Sequence, residues 1–235
     1  MIDAALLTDS RVNRAGKTLR YYVRDSVGTQ EKAQEALDVL IAFRALHQRP
    51  LTSANMGLRS MVKTTGCIEP EVTQRLKRIP TVLNKLTREP TLALAKMQDL
   101  GGCRAVLQSP AEVYRVRDRL VSRGRVEGVS DYIASPRASG YRGVHVIVLY
   151  HGRKIEVQLR TQIMHQWAVT VEALSGVLGR DVKSGSGPEA VQKLMETISR
   201  AMALEEHGGV VDDVLLEELR VARVAATPYL VGGKA

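Results

Sequence analysis

The residue pattern predicts a small mixed β-sheet with helices before and after it, an α+β or α/β domain. "VHVIVLY" (144–150) and "KIEVQLRT" (154–161) flank the turn "HGR", which is a hairpin signal. "CRAVLQ" (103–108) is a further short apolar run of strand type. "PAEVYRVRDRLVSRG" (110–124) opens on proline and closes on glycine, the asymmetry that helix ends favour.

The other elements follow in chain order. Residues 11–24 place Arg11, Arg14, Lys17, Arg20 and Arg24 at helical spacing, as one basic stripe. Gly16 disfavours that helix. A solvated face is the plain reading of the stripe, and a phosphate-tracking surface the sharper one. Residues 31–48 read as an amphipathic helix that Pro50 stops. Residues 51–66 are mixed, punctuated by Gly57 and Gly66, and receive no element. Residues 69–90 read as helix, turn or kink at Pro80, helix. After the hairpin comes a helix over 162–178, a flexible loop over 179–189, and helices over about 189–207 and 211–224. There is no internal repeat.

The totals bound the class. A chain of 235 residues suits one domain, or a domain with an appended helical part. Hydrophobic residues make up 44% and aromatics only 4%, so the core is expected to be aliphatic. The net charge of +9 favours polyanionic partners: nucleotides, RNA or an acidic membrane surface. Cys67 and Cys103 stand far apart with no CxxC, so neither a disulfide nor a zinc framework is expected. The first residues lack the apolar run of a signal peptide, and no stretch approaches a membrane span. A soluble, reduced, cytoplasmic protein is expected.

The second hairpin strand carries the chemistry. A two-residue period points Ile155, Val157 and Leu159 one way and Glu156, Gln158 and Arg160 the other. A one-sided antiparallel sheet explains that much. Asp99, in "MQDLGGCRAVL", adds a second carboxylate at a strand entry, followed by two glycines and Arg104. Two carboxylates can hold Mg²⁺, which takes oxygen ligands and leaves positions for waters and substrate phosphates. Guanidiniums clamp phosphate oxygens bidentately. Positioning and charge neutralisation are what phosphoryl transfer requires. Upstream, "RLKRIPTVLNKLTR" adds Arg75, Lys77, Arg78, Lys85 and Arg88. The loop "SPRASGYRGVH" (135–145) brings Arg137, Tyr141, Arg142 and His145 to the start of the first hairpin strand.

Four blocks in order resemble the RelA/SpoT alarmone synthetase family, especially its small single-domain members: "RLKRIPTVLNKL", "MQDLGGCRAVL", "DYIASPRASGYRGVH" and "KIEVQLRTQIMHQWA", spanning residues 75–168. The resemblance implies an α+β, nucleotidyltransferase-like mixed sheet flanked by helices, with helical extensions at both ends. On that basis residues 1–66 would be an N-terminal helical extension, 67–178 the synthetase core and 179–235 a C-terminal helical segment. It implies a pyrophosphokinase that moves the β,γ-diphosphate of ATP onto the ribose 3′-hydroxyl of GDP or GTP. By position, Asp99 and Glu156 would hold Mg²⁺, and Glu156 would help activate the attacking hydroxyl. Arg75 and Arg104 would pack against adenine, and Lys77 and Lys85 would meet the ATP phosphates. Tyr141 would stack on the acceptor base, with Arg137, His145 and Gln158 contacting the acceptor or the transferred group.

The chain departs from the family pattern in places. Arg137 stands where the loop usually has lysine, and Gly143 and Val144 where it has Ser and Leu, so a looser strand entry is expected. None of the five histidines precedes an aspartate, so no hydrolase activity is expected. Two other readings stand beside the nucleotide synthetase. One is a toxin of the same family that pyrophosphorylates the 3′ end of tRNA, with an antitoxin protein as partner. The other is an RNA-binding module without catalysis. Oligomeric state is not legible, and the amphipathic 211–225 segment fits packing on its own domain, self-association or an inhibitor.

Overall fold

A computed structural model describes residues 2–3 and 6–231. The outer ends of the expected terminal segments, residues 1 and 232–235, lie outside the described residues, as do 4 and 5. Three helices come first: α1 (Asp9–Asp25), α2 (Gln30–Ala45) and α3 (Gln48–Thr64). Then follow β1 (Glu71–Leu76), α4 (Ile79–Arg88), β2 (Gly101–Leu107), α5 (Pro110–Ser122), β3 (Val126–Asp131), β4 (Val144–Tyr150) and β5 (Arg153–Thr161). Helices α6 (Gln162–Leu178), α7 (Glu189–Glu206) and α8 (Asp213–Val231) close the chain.

The strands form one five-stranded sheet in the order β1-β2-β5-β4-β3. The central pair, β2 with β5, is parallel and the other pairs are antiparallel. The sheet alternates as the two-residue period requires. Cys103, Ala105, Val146, Val148, Ile155, Val157 and Leu159 point into a core shared with α3 and α5. The opposite face carries the charged residues. A second core joins α1, α2, α4 and the 94–100 segment, and a third gathers Tyr141 with α6, α7 and α8. The mixed sheet with flanking helices is therefore present, with the hairpin and the 162–178 helix where the pattern puts them.

Four expectations fail locally, for physical reasons. Residues 71–76 are a strand, not a helix, because antiparallel pairing with β2 (Arg75 opposite Gly102) takes the backbone that the helical pattern also fitted. Residues 51–66 are mostly α3. Pro50 lies in its first turn, where a missing N–H leaves no bond unmade, so it starts a helix rather than ending one. Strand β3 went unpredicted because an edge strand with a glycine and a bulge at Val126/Gly128 shows no apolar alternation. Helix α8 runs past residue 224 and through Pro228.

The basic stripe is helical but not uniform. Arg11, Arg14, Lys17 and Arg24 are exposed, whereas Arg20 is half-buried. Arg20 donates to the Leu86 carbonyl at 2.7 Å and to that of Leu92, capping the end of α4. Gly16, unfavourable for a helix in isolation, sits where a Cβ would come within 2.7 Å of Leu94 Cβ. Close approach of α1 to the 94–96 turn depends on that missing side chain. His47 is 2% exposed, its Nδ1 donating to the Phe43 carbonyl at 3.0 Å. Burial, helped by the Arg153 charge, lowers its pKa to about 4.

Gly16→Val should destabilise the fold by about 1–3 kcal/mol through overpacking against Leu94. Gly176→Ala, in α6 with open space around it, should add up to about 1 kcal/mol; both are read by denaturant unfolding. The folded-state pKa of His47 lies below its unfolded value, so the unfolded chain binds the extra proton. Its contribution is present above about pH 6.5 and is lost as pH falls toward 4, by about 3 kcal/mol. Unfolding of wild type and His47→Gln across that window should show the difference shrinking as pH falls.

Candidate active site

The site is built on the charged face of the sheet. The β4–β5 register sets His145 opposite Gln158, and the β2–β5 register sets Gly102 opposite Glu156 and Arg104 opposite Gln158. Five side chains then close a hydrogen-bonded ring. His145 Nδ1 donates to Glu156 Oε1 at 2.9 Å, and Gln158 Nε2 donates to Glu156 Oε2 at 2.6 Å. Tyr141 Oη meets His145 Nε2 at 2.5 Å. Arg160 supplies both arms, from Nε to Tyr141 Oη at 3.1 Å and from Nη2 to Gln158 Oε1 at 2.7 Å. Burial pushes the Glu156 carboxyl up, but the hydrogen bond and charge of His145, the Gln158 hydrogen bond and the Lys85 charge outweigh it, leaving a pKa of about 2.

Asp99 stands just before β2. Its Oδ2 accepts from Lys77 Nζ at 2.8 Å and from Lys85 Nζ at 3.0 Å, while Oδ1 is buried without a partner. Burial raises its pKa, and the two ammonium groups more than reverse that. Arg104 has a buried Nε with no partner, and burial and the neighbouring Arg160 and Arg75 charges lower its pKa. Lys183 pairs with Glu172 at 3.1 Å, and Arg88 bonds Asp181, joining α4 to the 3₁₀ turn Val182–Ser184. These groups line a cavity of about 430 Å³. A buried cation with an unpaired donor beside a carboxylate with an unpaired oxygen has chemistry left to complete: anions for the first, cations for the second. A larger groove of about 820 Å³ between α7 and α8 shares no residue with this cavity and is walled largely by Ala and Val within an acidic rim.

Of the residues singled out in the sequence, Arg75, Lys77, Lys85, Asp99, Arg104, Arg137, His145, Glu156 and Gln158 all line the cavity. Tyr141 does not, and its expected role as an open stacking face is corrected. The ring is 1% exposed, packed at 6.2 Å from Trp167 and overlaid by Lys183 at 4.9 Å and Arg160 at 5.1 Å. Nor is the strand entry loose. Gly143 has φ +147°, and a Cβ there would stand 3.2 Å from both Arg160 Cγ and Tyr141 Oη. Arg137 is held by Tyr132, donating to its hydroxyl at 2.8 Å and lying 4.4 Å above its ring. Missed in the sequence were Glu172, Asp181, Lys183 and Ser184, which line the cavity, and Arg160, which anchors the ring. Arg160 shares the strand periodicity of Glu156, which was signal enough. The 179–189 segment reads as flexible by composition, although Val182 is fully buried.

Fold and cavity define an α+β protein, a mixed five-stranded sheet flanked by helices, whose charged cavity holds lysines and arginines beside Asp99 and Glu156. Residues 74–175 match the family model described as a region found in RelA/SpoT proteins. The chain is 33% identical over 142 residues to GTP pyrophosphokinase YjbM of Bacillus subtilis, covering 55% of this chain and 65% of that protein. It is 34% identical over 180 residues to Rv1366, an uncharacterized protein of Mycobacterium tuberculosis, covering 75% of this chain and 63% of that one. These matches thus span just under two thirds of the relatives' lengths. Among solved structures, small alarmone synthetase 1 of B. subtilis bound to its product pppGpp superposes with TM-score 0.61 at 25% identity, covering 77% of this chain and 95% of that one. The fold also matches small alarmone synthetase 2 of B. subtilis, with TM-score 0.60 at 20% identity and coverage of 71% and 94%. Residues 74–175 are thus similar to the region found in RelA/SpoT proteins.

Because the Tyr141 ring is core, Tyr141→Ala should cost about 3–5 kcal/mol of stability. Chemical denaturation checks this, and an unchanged midpoint would contradict its burial.

Proposed function

We propose that the chain is a pyrophosphokinase that transfers the β,γ-diphosphate of ATP to the 3′-hydroxyl of GDP or GTP. One observation carries this reading. Two carboxylates, one with an unpaired buried oxygen, share a cavity with lysines and an arginine whose Nε is unpaired. That combination suits a polyphosphate and its counter-ion better than a neutral substrate. The match of residues 74–175 to the RelA/SpoT region and the likeness to YjbM support the same reading.

Asp99 and Glu156 are the oxygen donors that would hold Mg²⁺, and the unpaired Asp99 Oδ1 fits a hard cation. When bound, Mg²⁺ neutralises phosphate charge. Lys77 and Lys85, already on Asp99, lie within reach of phosphates at the same place. Arg75 and Arg104, from adjacent strands, offer flat guanidinium faces and donors to ATP. Glu156 is a weak base with a pKa of about 2, so its contribution is orientation: it accepts the hydrogen bond of the attacking hydroxyl and points the lone pair. A loose phosphoryl-transfer transition state asks for positioning more than for a strong base. Arg137 and His145, which line the cavity at its loop side, would contact the acceptor. A second acceptor, the 3′ end of tRNA, is favoured by the four exposed cations on α1.

The test incubates the full chain with γ-labelled ATP, Mg²⁺ and either GDP, GTP or deacylated tRNA. Label in a guanosine product is expected; label on the RNA instead would move the acceptor assignment to tRNA. Glu156→Gln should abolish transfer with the fold intact, since it removes a charge and little volume. Near-normal turnover in that variant would sink the site assignment.

A further inference from the structure

Arg160 is the least expected group in the molecule. It is 1% exposed, yet among the described residues no carboxylate lies within ion-pair distance of its guanidinium. A buried charge without a direct counter-charge is costly, and an apolar side chain of similar volume would make a more stable core. The guanidinium instead spends its donors on two neutral groups, Tyr141 Oη at 3.1 Å and Gln158 Oε1 at 2.7 Å. Both of these lead to the same place.

The directions of the bonds that Arg160 and Glu156 make follow from the chemistry of those two ends. Arg160 can only donate, and an ionised Glu156 can only accept. On one arm Arg160 donates to Tyr141, His145 Nδ1–H donates to Glu156 Oε1, and Tyr141 Oη and His145 Nε2 share the hydrogen bond between them, in which the Nδ1–H tautomer accepts from Tyr141 Oη–H. On the other arm Arg160 donates to Gln158 Oε1, and Gln158 Nε2–H donates to Glu156 Oε2. Each carboxylate oxygen therefore receives a hydrogen bond polarised by one buried cation. The backbone accommodates this: at Gly143, with φ +147°, a Cβ would stand 3.2 Å from Arg160 Cγ, closer than the anchor admits without shifting.

We propose that Arg160 is a positioning residue that holds the Glu156 carboxylate in one orientation through two hydrogen-bonded arms, with Tyr141 as the link in one of them. The proposal rests on the pyrophosphokinase reading for its kinetic consequence, but not for its structural one. Tyr141 then acts through its hydroxyl, from inside the core. The buried cation costs stability and returns a carboxylate that does not need to reorganise when the acceptor hydroxyl arrives.

Two measurements on the full chain decide it. The first is ¹⁵N NMR of the histidine rings at pH 7.5. Wild type should show His145 as the Nδ1–H tautomer, and Tyr141→Phe should release it to a tautomer mixture. A wild-type Nε2–H tautomer would overturn the arm whatever the enzyme does. The second is steady-state transfer with the acceptor that wild type uses. Tyr141→Phe keeps the ring and its packing but breaks one arm; kcat should fall about tenfold, the worth of one hydrogen bond to a charged network, with KM for ATP unchanged. Arg160→Met should fall further, and adding Tyr141→Phe to it should cost nothing more, since that arm already lacks its source. Trp167→Phe removes a buried bond to the Met195 carbonyl in the same cluster and should leave kcat alone. A wild-type kcat in Tyr141→Phe, or an equal loss in Trp167→Phe, would reduce the ring to packing. A wild type inactive with every acceptor would sink the pyrophosphokinase reading, and the tautomer readout would still decide the ring.

Discussion

The parallel pairing of β2 with β5 is the contact on which the rest depends. It sets Gly102 beside Glu156 and Arg104 beside Gln158 across more than fifty residues of chain. Parallel neighbours require a long crossover, and here that crossover contains α5, β3 and β4. The same pairing that buries Cys103, Ala105, Val157 and Leu159 on one face lifts their alternate neighbours to the other. Core and site are two readings of one register, because a slip of one residue would exchange them.

The charged face combines ion pairs with uncompensated donors and acceptors. Asp99 is shared by two lysines and still has a free oxygen, and Arg104 has a buried nitrogen with no partner. His165, on α6, likewise has a buried Nδ1 without a partner, with burial and the charges of Arg104 and Arg160 lowering its pKa. Mutual repulsion among these cations is a standing electrostatic cost that a bound polyanion relieves. The ring through Arg160 is the exception, since it is closed on itself and satisfied.

Much of the site was legible, for identifiable reasons. Glu156, Gln158 and His145 lie on strands, where a period of two fixes direction from sequence. Asp99 was legible because two glycines after it mark a strand entry that needs close backbone approach. Lys183 and Asp181 were not, because their segment is glycine- and serine-rich and its order comes from burying Val182 and from the Arg88 contact made by a distant helix. Gly16 and Arg20 show the same limit. One looks like a helix fault and the other like a solvated charge, until α4 and the 94–96 turn are packed against them.

The sequence by itself determined the strands of the hairpin, the helix after it, the two carboxylates and the basic residues that surround them. Local periodicity and residue chemistry carry that information. Only the tertiary structure decided that residues 71–76 pair as a strand, that Pro50 opens a helix, and that Tyr141 is buried. In each case the deciding partner lies far away in sequence: β2 for the strand, the sheet for α3, and Arg160, Lys183 and Trp167 for the tyrosine ring. Side-chain type tells what a residue can do; whether its face is free is settled by what packs on it.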